Sequence, residues 1–264
     1  MRRAGWDDAR TVRFYEEFDR RHDRYRRAND ELAARAALVP GQRVLDVGAG
    51  LGGTARAALP RIGSDGHVVC FEPADAMPVR GEALLRDPRV TWTARLPEEP
   101  ATFGRILCGA VIWQLEPLAE AFAALAGLLV AGGALCFTIP SLYLGEPDEA
   151  GGGRDPLLLG LPALVADGRT SSAPPGADLP GAEEMAALLV AAGLRPERWT
   201  FRLRLTQDAL RDWLKIPVLT DSLLPELDPD ERAQAVEEAF RRADPGSWRW
   251  VGWSGWTAWK ATSS

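Results

Sequence analysis

Between residues 11 and 38 apolar positions recur at steps of three and four. Phe14, Phe18, His22 and Tyr25 share one such spacing, and Leu32, Ala36 and Val39 share another. This period predicts one or two amphipathic helices, ended by Pro40-Gly41. The pattern then changes to short apolar runs separated by helical stretches. Strands are predicted over 43–47, 67–71, 90–93, 105–108 and 134–139. Helices are predicted up to about residue 59, over 75–86 and over 118–130. Strands that alternate with helices make a parallel, doubly wound α/β sheet.

Residues 141–180 break this rhythm with Gly151-Gly152-Gly153, Ser171-Ser172 and Pro174-Pro175. A connection of that length reads as a lid, a binding loop or a disordered segment. A helix over 182–192 is stopped by Gly193, and Trp199 to Leu205 alternate as a strand does. Helices follow over 207–215 and 229–243, the second announced by Asp228 and Pro229 at a capping and a first-turn position. A last strand is predicted over 253–259. The expected organisation is one domain: a helical cap (1–39), a core (40–140), a lid (141–180) and a C-terminal part (181–264). That last part holds a pair of closing strands split by a helical insertion at 207–245.

Composition narrows the function classes. The chain has 264 residues, 46% of them hydrophobic and 26% charged, which excludes a wholly disordered chain. The most apolar stretch, 119–135, is interrupted by Glu120 and by glycines and falls short of a membrane span. With 31 basic against 37 acidic residues the net charge is −6, and the body of the chain has no basic run, so no nucleic-acid partner is expected. Arg20, Arg21, Arg24, Arg26 and Arg27 alternate with Asp19, Asp23 and Asp30, as on a solvated helix face. Cys70, Cys108 and Cys136 have no CxxC neighbour, which argues for reduced thiols, no disulfide framework and no metal site. The first residues lack an apolar core region, so the expected location is cytoplasmic.

The chemistry concentrates at Val44-Leu45-Asp46-Val47-Gly48-Ala49-Gly50-Leu51-Gly52. Glycines at a strand-to-helix turn let backbone approach a ligand, and the following helix presents free amides and its positive dipole end. Gly48, Gly50 and Gly53 satisfy the GxGxxG spacing of nicotinamide-binding proteins. Asp46 argues against that reading, because a carboxylate two residues before the first glycine repels a pyrophosphate. Glu72, at the end of the second strand, can accept hydrogen bonds from both hydroxyls of a ribose. An adenosine with a cationic tail suits both acids, and S-adenosylmethionine is such a ligand.

Asp46-Val47-Gly48-Ala49-Gly50-Leu51-Gly52 resembles the first motif of class I S-adenosylmethionine-dependent methyltransferases. Glu72-Pro73-Ala74-Asp75-Ala76-Met77 resembles the second, and Leu128 to Leu135 resembles the turn before the fifth strand. Ala131 stands where a proline is usual, and the fourth strand opens with Phe103-Gly104 where Phe-Asp is usual. The resemblance covers roughly 40–140 and the closing strands. It implies a Rossmann-like seven-stranded sheet with an antiparallel last strand beside the fifth, and ligands at the carboxyl ends of the strands. The cofactor-lining residues it implies run from Asp46 through Gly48, Ala49 and Gly50, and from Glu72 through Pro73 to Met77. Ala94 with Arg95 and the segment from Cys108 to Trp113 complete them.

The cap helix of similar enzymes covers the cofactor, which makes Tyr15 and Tyr25 candidate hydrogen-bond partners of its carboxylate. His22 and Tyr143 are the candidate catalytic residues, with Glu116 and Asp148 as weaker bases; His67 reads as a turn residue. Trp113 is placed between cofactor and acceptor, and Trp213 with Ile216-Pro217 is a candidate roof. The tail tryptophans Trp248, Trp250, Trp253, Trp256 and Trp259 read as core packing. The expected activity is methyl transfer to a small-molecule acceptor, a natural-product intermediate. Two alternatives remain open: a cofactor-binding relative with altered or no methyl-transfer chemistry, and a nicotinamide oxidoreductase. The acceptor, the atom methylated and the oligomeric state are not legible.

Overall fold

The structure, a computed structural model, describes residues 5–146, 179–221 and 223–262. The expected lid therefore lies largely outside the described residues, and with it Asp148. The first long helices are α1 (Ala9–Arg21) and α2 (Arg24–Arg35), separated at His22 and Asp23. The side chain of Asp8 caps α1 by accepting from the amide of Arg10.

The core then runs β1 (Arg43–Val47), α3 (Gly53–Ile62), β2 (His67–Phe71), α4 (Ala76–Leu84), β3 (Val90–Thr93), β4 (Phe103–Gly109), α5 (Leu118–Leu128) and β5 (Leu129–Pro140). After the undescribed segment come α6 (Ala182–Ala191), β6 (Leu194–Thr206), α7 (Gln207–Leu214), a short α8 (Pro217–Thr220), α9 (Pro229–Arg242) and β7 (Trp248–Lys260). The cap of α9 is as the sequence announces: Asp228 and Glu231 form a reciprocal capping box ahead of Pro229.

Seven strands form one sheet in the order β3-β2-β1-β4-β5-β7-β6. β1 to β5 pair in parallel, while β7 inserts antiparallel between β5 and β6. Central strands covered on both faces are apolar almost throughout, and Val44, Leu45, Asp46 and Val47 are all buried. In β7, Trp253 and Trp256 are fully buried. Trp256 stacks on Phe137, which stacks on Phe122 of α5. Trp248, Trp250 and Trp259 sit nearer the surface beneath the guanidinium groups of Arg204, Arg202 and Arg105.

Several boundaries differ from the sequence reading; β7, for one, begins at Trp248 rather than 253. The helix expected to reach residue 130 stops at Leu128. The turn expected at 131–133 is a bulge inside β5, where Gly132 takes a left-handed conformation and the pairing with β4 shifts between Phe103 and Arg105. β6 begins at Leu194 rather than 199. As an edge strand it leaves Arg195, Glu197 and Arg198 exposed, so its first half shows no clean alternation. Among the described residues no helix is long and apolar enough to cross a membrane.

Candidate active site

The carboxyl ends of β1, β2 and β4 meet the cap over a cavity whose empty space, open to solvent on one side, is about 660 Å³. Its floor is the glycine turn after β1. Gly48, Gly50 and Gly52 all have positive φ, a conformation open to glycine and strained for other residues. A Cβ on Gly50 would meet nothing within 4 Å, so there the glycine serves backbone conformation.

Two acids organise this floor from opposite sides. Glu72 accepts from the amide of Gly50 at 2.8 Å with one oxygen and from that of Ala74 at 3.0 Å with the other. It joins the β1 turn to the β2 turn and faces the cavity. Asp46 lies beneath the turn, fully buried, and accepts from the amide of Ala55 in the first turn of α3 at 3.0 Å. Its second oxygen has no partner among the described residues. Burial, opposed by the Ala55 amide and reinforced by the nearby Glu72, pushes the Asp46 carboxyl up to about 7.

The walls are aromatic. Trp6 meets Tyr15 edge to face, and Tyr15 lies against Tyr25, with centroids 5.8 and 5.6 Å apart. Trp113 closes the opposite side, backed edge-on by Tyr143. Trp213 of α7 donates its indole N–H to the Tyr25 hydroxyl at 2.8 Å. An indole can only donate, so the Tyr25 oxygen accepts and its own proton is turned away from Trp213. Burial raises the pKa of both tyrosines, that of Tyr15 well above its ordinary value with further contributions from Tyr25, Asp19, Glu72 and Asp46. Both are protonated donors at neutral pH.

Of the residues singled out in the sequence, Tyr15, Tyr25, Gly48, Gly50, Glu72, Pro73, Met77 and Trp113 line this cavity. Ala49 lines an adjoining crevice, and Asp46 lies below both. Cys108 is buried in the core, where burial raises its thiol pKa. Ala94 and Arg95 are exposed beyond β3, and Arg95 borders a separate groove with Arg43 and His67. Tyr143 stands behind Trp113, its hydroxyl pKa also raised by burial. His22 turns away from the cavity. Its Nε2 pairs with Asp212 at 2.9 Å, and Arg21 and Arg211 hold the same carboxylate, so this cluster ties the cap to the insertion.

Trp6, Gln114 and Leu219 also line the cavity and were not singled out in the sequence. No spacing links Trp6 or Leu219 to the motifs; only the packing of α1 and α8 over the strand ends brings them in. Asn29 was likewise unmarked. It accepts from the Thr54 hydroxyl at 3.1 Å in space that depends on glycine. A Cβ on Gly109 would fall 2.4 Å from the Thr54 hydroxyl and 2.7 Å from the Asn29 side-chain oxygen. Gly109→Ala is therefore expected to destabilise the protein by about 1–3 kcal/mol through overpacking, measured by urea denaturation. An unchanged midpoint would mean that the pair moves aside freely.

Comparison with known proteins agrees with this geometry. Residues 45–137 match a family model described as a methyltransferase domain. No curated protein matches the chain by sequence. The fold is similar to that of a SAM-dependent methyltransferase from Aquifex aeolicus, with TM-score 0.54 and 13% identity over 92% of this chain and 97% of that one. It is similar to phosphoethanolamine N-methyltransferase 2 of Haemonchus contortus, solved with S-adenosyl-L-methionine, at TM-score 0.54 and 18% identity; 89% of this chain covers 52% of that one. The (4+2)-cyclase SpnF gives TM-score 0.57 and 19% identity over 90% of this chain and 81% of that one. Residues 45–137 thus match a methyltransferase domain, and the fold around them is that of the S-adenosylmethionine-dependent methyltransferases to which the chain is similar.

Proposed function

We propose that the chain methylates a small, uncharged or partly aromatic molecule, a natural-product intermediate, in the cavity above the glycine turn. The observation that carries this reading is the enclosure of that cavity by Trp6, Tyr15, Tyr25 and Trp113, with Leu219 from the insertion. Such walls suit a flat apolar acceptor and exclude water. The residues fit the cofactor: Glu72 stands where ribose hydroxyls need an acceptor, Pro73, Ala74 and Met77 offer apolar surface for adenine, and aromatic faces attract a sulfonium. Bound there, S-adenosylmethionine supplies an electrophilic methyl group.

The chain's own contribution is positioning. Holding the acceptor in line with the methyl group contributes about 7–11 kcal/mol. Among the described residues that line the cavity there is no histidine, lysine or aspartate. Both oxygens of Glu72 already receive amides, and both tyrosines are protonated. This favours an acceptor nucleophilic without a base, such as an amine or an activated ring carbon. The net charge of −6 and the closed cap argue against a nucleic-acid acceptor, and the three free, buried cysteines accord with a cytoplasmic setting.

The test is incubation with methyl-labelled S-adenosylmethionine and a panel of aromatic, amine and hydroxylated small molecules, with total RNA alongside. Label is expected in an amine or electron-rich aromatic compound. Label in RNA alone overturns the acceptor class. Tight cofactor binding with no labelled product favours the alternative of altered chemistry on this fold, as the name of SpnF records for that protein.

A further inference from the structure

Where β4 ends, the chain bends sharply before it borders the cavity. Ala110 takes a left-handed backbone with φ 56°, a conformation costly for a residue with a side chain. Its amide donates to the Thr138 hydroxyl of β5 at 3.3 Å, which ties the bend to the sheet. The single turn that follows, Ile112–Gln114, is closed by the amide of Gln114 donating to the Val111 carbonyl at 2.8 Å. Val111, Ile112 and Leu115 are buried in the core. Trp113 and Gln114 are half-buried and border the cavity. The strained bend therefore mounts an aromatic ring and a carboxamide next to each other on a well-anchored turn.

The carboxamide stands apart from the other polar groups of the wall. Glu72 has each oxygen on a backbone amide, and the Tyr25 oxygen accepts from Trp213. The indoles of Trp6 and Trp113 can only donate. The Gln114 side chain makes no hydrogen bond among the described residues. It carries a donor and an acceptor on one planar group, and by turning over it offers them in either order. A polar group partly withdrawn from water gains most when a ligand supplies the missing bonds.

We propose that Gln114 is a specificity-determining residue for the methyl acceptor, and that the acceptor is a flat ring with a carbonyl beside an N–H or O–H. An aromatic lactam and a ring bearing a hydroxyl next to a carbonyl both present that pair. The inference rests on the cavity being the acceptor site of a methyltransferase. Contact with an aromatic wall leaves a flat ring free to rotate in its own plane, and two parallel hydrogen bonds to Gln114 remove that freedom. A molecule lacking the pair leaves donor and acceptor of the carboxamide unmatched, which is how a polar site rejects an apolar analogue.

Two probes separate the contributions. 2-Quinolone carries the pair; quinoline has the same fused rings with an acceptor alone. Ligand-observed NMR titrations of the full chain, with S-adenosylhomocysteine in place, are expected to show 2-quinolone binding about tenfold tighter or more. Gln114→Met keeps the length of the side chain and removes the pair. It is expected to weaken 2-quinolone about tenfold, to leave quinoline within about twofold, and so to abolish the preference. Equal binding of the two rings by the unaltered protein overturns the assignment, as does a preference that survives in the variant or a parallel loss of both rings there. Those outcomes leave the cavity as an acceptor site. If neither ring binds the unaltered protein beside S-adenosylhomocysteine, the acceptor site and the role of Gln114 fall together.

Discussion

Glu72→Gln is expected to lower affinity for S-adenosylhomocysteine about 100-fold while the chain stays folded. The carboxylate accepts from the amides of Gly50 and Ala74, one on each oxygen. A glutamine has one oxygen for two donors, so one amide would face an NH2 group. Hydrogen bonds to a charged partner contribute about 1.5–3 kcal/mol each. Losing one to a ribose hydroxyl, for which the carboxylate is the acceptor, reaches the stated factor at about 1.4 kcal/mol per tenfold. Folding is spared because residue 72 follows β2, and its backbone bond to Thr93 does not involve the side chain. Calorimetry on the variant, with circular dichroism as the folding control, checks this. Affinity within threefold of the unaltered protein would show that Glu72 does not organise the site.

Glu72 also illustrates what the sequence discloses. Its place at the end of an apolar strand, following a glycine turn after another, is a pattern in one dimension. So are the alternation that gives the sheet and the pair of closing strands; the antiparallel place of β7 beside β5 is legible only through the family resemblance. What pairs with what across the cavity is not written in any local spacing. Asn29 meets Thr54 because α2 packs on α3, and Trp213 meets Tyr25 across 188 positions. His22 had the spacing of a cap residue facing the ligand. The helix break at His22 and Asp23 turns it instead toward Asp212, a buried carboxylate on α7 held below its ordinary pKa despite burial by Arg211, His22 and Arg21. Ala94 and Arg95 follow β3 just as the other lining segments follow their strands. β3 is the sheet's edge, however, and the chain beyond it runs over the surface. Periodicity identifies elements and their order; which side chains face each other depends on packing angles that a period does not encode.

Between pH 4 and 7 the protein is expected to lose stability that an Asp46→Asn variant keeps. The Asp46 carboxyl is raised from 3.8 to about 7 in the folded chain, so over that interval the native state binds a proton that the unfolded state has released. Stability therefore falls as pH rises through this window and levels off above it. A rise of that size corresponds to a loss on the order of 4 kcal/mol. Asparagine keeps an acceptor for the Ala55 amide and cannot ionise. The two proteins should thus unfold at similar urea concentrations at pH 4 and diverge progressively to pH 8, with the variant the more stable. Parallel curves would mean that Asp46 is not proton-linked. A residue that destabilises its own fold at neutral pH needs a compensating role, and its position beneath the glycine turn indicates one. Above pH 7 it places an uncompensated negative charge under a site that receives a cation. S-adenosylmethionine should then protect the unaltered protein against heat more than S-adenosylhomocysteine does at equal ligand concentration. That difference should shrink in the variant, because a neutral asparagine cannot distinguish a sulfonium from a thioether by charge.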